Sequence, residues 1–165
     1  MLSKKLQDNL SRQMNRELYS GYLYLGMASY AASIGLKGFE GWFIAQAKEE
    51  GLHAKKIYDY LIEKGFRVIM EDIERPPQEF SSGLDIFEKT LEHEKKVTGL
   101  ILKLVELAKS LGDKETEKFL EWFVVEQKEE EMTPARIIDN IKDELSKDLK
   151  SGYSVINSQL SKRKG

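Results

Sequence analysis

One pattern limits what this chain can fold into: potential metal ligands recur at helical spacing and then recur again at a fixed offset. Glu50 and His53 are three residues apart, and so are Gln127 and Glu130. Side chains at i and i+3 share one face of a helix. Glu17 precedes Glu50 by 33 positions, and Glu94 precedes Gln127 by 33. Adding 77 to positions 17, 49, 50 and 53 reaches 94, 126, 127 and 130, all of them Glu or Gln. Two helical pairs therefore face each other across a carboxylate-rich centre.

Apolar periodicity places these residues on helices. From about Ser3 to Ser33 the stripe reads Leu6, Leu10, Met14, Glu17, Gly21, Tyr24, Ala28, with Glu17 where a core residue belongs. A second helix, from about Gly38 to Lys64, carries Phe39, Phe43, Gln46, Glu50, His53, Ile57, Tyr60. Gly35 and Gly65 suit the helix ends. A third helix, about Leu84 to Leu111, presents Phe87, Leu91, Glu94, Thr98, Ile101, Val105 and Ala108. Ser82 with Asp85 resembles its capping box. Gly112-Asp113 stops and restarts the chain, and Asp113 is a good N-cap. The fourth helix, about Lys114 to Leu145, carries Phe119, Phe123, Gln127, Glu130, Pro134, Ile137 and Ile141, and Pro134 should kink it. After Ser151-Gly152, the residues Tyr153, Ile156 and Leu160 predict a short tail helix packed on a neighbouring subunit.

Residues 66–83 have no periodicity and hold Pro76-Pro77. Eighteen residues reach about 60 Å when extended, and the second helix is about 40 Å long at 1.5 Å per residue. The connection can thus run the length of a bundle and leave the second and third helices parallel. The expectation is one all-α domain over residues 1–165: a four-helix bundle at about 3–145, a long crossover, and a fifth short helix at about 152–161.

Composition excludes several chemistries. With no cysteine, thiolate zinc, iron–sulfur and Cys-nucleophile sites are impossible. A net charge of −2 gives no electrostatic footprint for nucleic acid, and the basic tail Lys162-Arg163-Lys164 is too short to supply one. No apolar run approaches the roughly 18 residues of a membrane helix. No secretory signal is legible at the start, so the cytoplasm is the expected location.

Six groups converge if the helices pack: Glu17, Glu50, His53, Glu94, Gln127 and Glu130. Uncompensated buried carboxylates cost several kcal/mol each, and no Lys or Arg shares these stripes. Metal ions are the economical compensation. Oxygen-rich ligation with one imidazole suits iron or manganese and accommodates zinc. Two ions about 3.5–4 Å apart could share Glu50, one with Glu17 and His53, the other with Glu94 and Glu130, Gln127 standing by as a weaker neutral neighbour. Two Fe(II) ions so placed can each give one electron to dioxygen.

The segments Gln13-Met14-Asn15-Arg16-Glu17-Leu18-Tyr19-Ser20, Glu49-Glu50-Gly51-Leu52-His53, His93-Glu94 and Trp122 to Glu131 together resemble a bacterial-type non-haem ferritin of the ferritin-like di-iron superfamily, over about Leu6 to Leu160. The resemblance implies that Glu17, Glu50, His53, Glu94, Gln127 and Glu130 form a ferroxidase centre. It implies a third iron site at Glu49, Glu126 and Glu129, and a redox role for Tyr24 beside the di-iron pair. It further implies oxidation of Fe(II) by dioxygen or hydrogen peroxide and storage of ferric mineral in a 24-subunit shell. Glu130 stands where relatives with two Glu-x-x-His motifs have histidine, and Leu52 where the haem-binding relative has its methionine ligand, so no haem is expected. The alternative is a di-iron peroxidase or oxygenase without mineral storage. Trp122 reads as packing, His93 as a supporting or surface residue, and Glu117 and Glu121 as ordinary helix surface or the lining of an acidic pore.

Overall fold

A computed structural model describes residues 3–163; Met1, Leu2, Lys164 and Gly165 lie outside it. Five helices follow in order: α1 (Lys4–Ser33), α2 (Lys37–Glu63), α3 (Gly83–Ser110), α4 (Lys114–Lys147) and α5 (Gly152–Leu160), with no strand among the described residues. The boundaries fall where local chemistry puts them. Ser3, Ser82 and Asp113 cap α1, α3 and α4, their side chains accepting from the backbone N–H of Leu6, Asp85 and Thr116 at 3.0–3.2 Å. Asp85 reaches back too, but one residue beyond the bond a capping box predicts: it accepts from the N–H of Ser81 at 2.9 Å, not from that of the N-cap Ser82. Gly35 and Gly65 adopt φ of 78°, closing α1 and α2 with paired bonds such as Leu36 N–H to the Ala31 carbonyl and Phe66 N–H to the Leu61 carbonyl, each 2.9 Å.

α1 and α2 form one antiparallel hairpin, and α3 and α4 another. Contacts between α1 and α3 run in opposite directions, from Ser20 with His93 to Met27, farther along α1, with Thr90, earlier on α3. Because α1 is antiparallel to both α2 and α3, those two are parallel, as the length of the crossover allows. The crossover lies along α1. Ser11 Oγ accepts from Ile69 N–H at 3.0 Å, Asn15 donates to the Ile69 carbonyl at 2.8 Å and accepts from Glu71 N–H at 3.0 Å, and Tyr30 packs edge-on against Phe80 farther along. α4 continues through Pro134 as one helix.

The tail finds cover within its own chain, where the sequence reading looked to a neighbouring subunit: α5 docks on its own bundle, against α2 and α4. Ile156 is buried in the core, and Tyr153 Oη accepts from Leu84 N–H at 3.2 Å. Asn157 Oδ1 accepts from Gly38 N–H at 2.7 Å, doing for α2 what its own N-cap, Leu36, cannot. A Cβ at residue 38 would overlap the Asn157 carbonyl, so glycine is what lets the tail come this close.

The core is divided. One apolar cluster, with Leu6, Leu10, Ile57, Leu61, Ile101 and Phe123, fills one end of the bundle. Another, with Tyr24, Phe39, Phe43, Phe87, Ile138 and Ile156, fills the end where α5 docks. Between them lies a polar layer.

Candidate metal centre

Each long helix contributes to that layer from its midpoint: Glu17 from α1, Glu50 and His53 from α2, Glu94 from α3, Gln127 and Glu130 from α4. None is more than 7% exposed. Helix spacing explains the alignment, since each lies three or four residues from a buried apolar neighbour on its own stripe. Gly21, one turn beyond Glu17, supports the arrangement: a Cβ there would sit 3.2 Å from the Ala47 carbonyl oxygen and 3.5 Å from Glu50 Cβ. α1 and α2 therefore approach closely beside the layer.

Three sets of potential ligand atoms each fall within 4.8 Å of one another: Glu17 with Glu50 and His53, Glu50 with Glu94 and Glu130, and His53 with Glu126 and Glu130. Glu50 belongs to the first two sets. His53 Nδ1 lies 3.3 Å from Glu50 Oε2 and its Nε2 lies 3.9 Å from Glu126. The His53 ring is held edge-on by Trp122 at 5.4 Å and Phe123 at 6.3 Å between centroids.

Neutral donors serve the carboxylates. Gln13 Nε2 donates to Glu17 at 2.7 Å, and Gln46 Nε2 to Glu130 at 2.5 Å and to Glu50 at 3.4 Å. Gln127 Nε2 donates to Glu94 Oε2 at 3.1 Å, and the Tyr24 hydroxyl donates to the other oxygen of Glu94. The sequence reading missed the roles of Gln13 and Gln46. Their signal was present, because each stands one turn before its stripe's glutamate.

Amides do not neutralise charge, and the electrostatics say so. Burial, then the nearby Glu50 charge, pushes Glu17 up to about 8. Burial and Glu94 push Glu130 up to about 8. Burial raises Glu94 to about 7 against the opposing bonds from Tyr24 and Gln127. Glu50 is raised by burial and by both Glu94 and Glu130. Burial and then Glu94 hold the Tyr24 phenol well above its ordinary value. A layer whose carboxyls hold protons near neutral pH is one that gains from divalent cations.

Outside the layer, Glu49, Glu126, Glu129 and Glu130 line a cavity of about 440 Å³ together with Arg136 and Arg163. Glu126 is the one of the three outlying glutamates that reaches the His53–Glu130 set; Glu129 is exposed and Glu49 pairs with Arg163 at 2.8 Å. Tyr24 is fully buried beside Glu94. His93 is mostly buried, its Nε2 2.8 Å from Ser20 Oγ, and burial lowers it to about 4. Trp122 is partly exposed, with the Lys56 ammonium 4.4 Å over its ring. Glu117 pairs with Lys114 at 3.0 Å and Glu121 stands on exposed helix surface.

Comparison with known proteins places this geometry in context. Residues 7–143 match the family model for the ferritin-like domain. The chain is 44% identical over 139 residues to a bacterial non-heme ferritin of Staphylococcus epidermidis, covering 84% of each chain. It is 38% identical over 163 residues to a bacterial non-heme ferritin of Bacteroides fragilis, covering 99% of this chain and all of the other. Its fold superposes on an open-pore ferritin from the hyperthermophilic archaeon Archaeoglobus fulgidus with a TM-score of 0.96 and 43% identity, covering 99% of this chain and 100% of the other.

Proposed function

The chain belongs to the ferritin family, and on that footing we propose that it is an iron-storage protein that oxidises its own cargo. Fe(II) is the substrate. One ion is taken by Glu17, Glu50 and His53, the other by Glu50, Glu94 and Glu130, with Gln127 beside the second. Each Fe(II) surrenders one electron to dioxygen or hydrogen peroxide, and ferric product moves toward the cavity-side carboxylates Glu49, Glu126 and Glu129 for deposition as mineral. The working form is a 24-subunit cytoplasmic shell in which residues 1–165 act as one domain.

The observation that carries this reading is the double membership of Glu50. It lies within 4.8 Å of Glu17 and His53 on one side and of Glu94 and Glu130 on the other, all buried. Two ions sharing one carboxylate need that topology, and a solvated acidic face does not produce it. The chain's own groups then have clear tasks. Glu17, Glu94 and Glu130 give up protons as cations arrive. Gln13 and Gln46 hold one oxygen each of Glu17 and Glu130, which fixes the carboxylate planes. Tyr24 keeps its proton and donates it to Glu94, placing an oxidisable phenol against a ligand of the second ion.

The test is the initial rate of aerobic Fe(II) oxidation, followed by ferric absorbance at two Fe(II) per chain. Glu50→Ala and Glu94→Ala should each lower it by at least about 10–100-fold, the scale of losing a residue that only supports a metal ligand. Wild-type rates in both variants would overturn the reading.

A further inference from the structure

The cavity beside the centre is acidic, yet a cation from the chain itself already stands in it. Arg163 lies three residues beyond α5. Its guanidinium donates to Glu49 at 2.8 Å, to Gln46 Oε1 at 3.1 Å and to the Trp42 carbonyl at 3.3 Å, and it covers the Trp42 ring at 4.6 Å. Its side chain is only 22% exposed. Four simultaneous contacts from a planar fork are what arginine makes and lysine does not.

The contact with Gln46 extends inward. Arginine can only donate, so Gln46 must turn its carbonyl oxygen to Arg163. Its NH2 then faces Glu130 at 2.5 Å and Glu50 at 3.4 Å. One guanidinium thus occupies Glu49 directly and fixes, through a single amide, the donor that two buried glutamates see. α5 is secured independently by Ile156 and by the Asn157 bond to Gly38, so Arg163 can leave Glu49 without detaching the tail helix.

We propose that Arg163 is a displaceable internal cation that holds the place of a metal ion at Glu49, and that an ion binds the cavity-side carboxylates only by moving it aside. The proposal rests on the reading of the buried layer as a two-ion centre and of Glu49, Glu126 and Glu129 as the carboxylates that take the next ion. It adds a regulator of the next step: an empty cavity face is stabilised by the tail, and the same contact resists premature occupation by a third ion. The resistance follows from displacement: before the ion can take Glu49, the charge-assisted bond from Arg163 and its companion contacts to Gln46 and the Trp42 carbonyl must break, a loss that weakens third-ion binding about tenfold.

The experiment is calorimetric titration of the metal-free full chain with Co(II), in wild type, Arg163→Gln and Arg163→Lys. Two tight ions per chain are expected in all three. The third ion should bind about tenfold tighter in Arg163→Gln than in wild type, with Arg163→Lys between them. In a Glu49→Gln background, removing Arg163 should change third-ion affinity by less than about twofold, because the shared carboxylate is gone. A third ion detectable in Arg163→Gln alone would also support displacement. Equal third-ion affinity in wild type and Arg163→Gln, or no third ion in either, would overturn the proposal while two tight ions kept the centre intact. Fewer than two tight ions in wild type would overturn the reading of the centre itself. A role confined to anchoring the tail would lower the melting temperature of Arg163→Gln and leave third-ion affinity unmoved, which refutes the proposal.

Discussion

Filling the buried layer with divalent ions should expel protons, and the number can be worked out from the electrostatics. With Glu17 and Glu130 at about 8 and Glu94 at about 7, these three carboxyls together hold nearly three protons at pH 6.5. Binding requires the ionised forms, so loading with Zn(II), which avoids redox chemistry, should release about three protons per chain from Glu17, Glu94 and Glu130 at pH 6.5. At pH 9 Glu17, Glu94 and Glu130 are already ionised, and their release should fall to well under one. Apparent affinity should weaken by about three powers of ten per pH unit as the solution is acidified below pH 6.5. The assay is calorimetric titration in buffers of different ionisation enthalpy, which separates proton release from binding heat and works on an assembled oligomer. Solvated glutamates would hold almost no protons at pH 6.5. Release of fewer than one proton per chain there would refute the account of a desolvated carboxylate layer.

Three further outcomes follow from the same structure. Glu17, Glu94 and Glu130 titrate above 4.5 when folded, so the folded chain holds protons that the unfolded chain has lost. Metal-free stability should therefore fall as pH rises from about 5 to 8, read as a declining melting temperature, and saturating Zn(II) should restore it; a rise over that window would contradict the sign. Glu50→Gln, a neutral substitution of the same shape, should relieve repulsion with Glu94 and Glu130 and raise the metal-free melting temperature at pH 8 by about 4–8 °C, for a gain of about 2 kcal/mol. A destabilised Glu50→Gln chain would mean the carboxylate is satisfied without metal. Asn157→Ala removes the side-chain cap of α2 and should cost about 1 kcal/mol, lowering the melting temperature by about 2–4 °C; no change would mean that water replaces Asn157 at Gly38 without loss.

The bundle was legible because its determinants are local or periodic. Stripes and caps such as Asp113 and Ser82 place every helix within a few residues of its observed limits, and the length of residues 66–83 allows the parallel α2–α3 arrangement that the structure shows. The burial of four carboxylates was legible for a related reason: Glu17, Glu50, Glu94 and Glu130 interrupt stripes that otherwise carry apolar residues, and the structure buries all four together. What stayed hidden depends on distant parts of the chain meeting. The apolar face of α5 shows that something must cover it, but the same nine residues would pack equally on a neighbour or on their own bundle. Asn157 and Gly38 are 119 positions apart, and no local pattern marks one as the cap of the other. Ser11 and Asn15 resemble helix-surface polar residues until the crossover lies across them. Arg163 looked like part of a solvated basic tail, and its meaning came only from Trp42, Gln46 and Glu49 beneath it.

The central claim is that this chain oxidises iron at the buried layer and keeps the product inside a shell. Size-exclusion chromatography after aerobic Fe(II) loading, with protein and ferric absorbance recorded together, tests it most directly. Twenty-four chains of 19.0 kDa make a particle of about 456 kDa, and many ferric ions per chain should co-elute with protein at that size. Iron held at about two per chain in a small oligomer would contradict storage and point to a di-iron peroxidase or oxygenase; protein that emerges free of iron would contradict the metal centre as well.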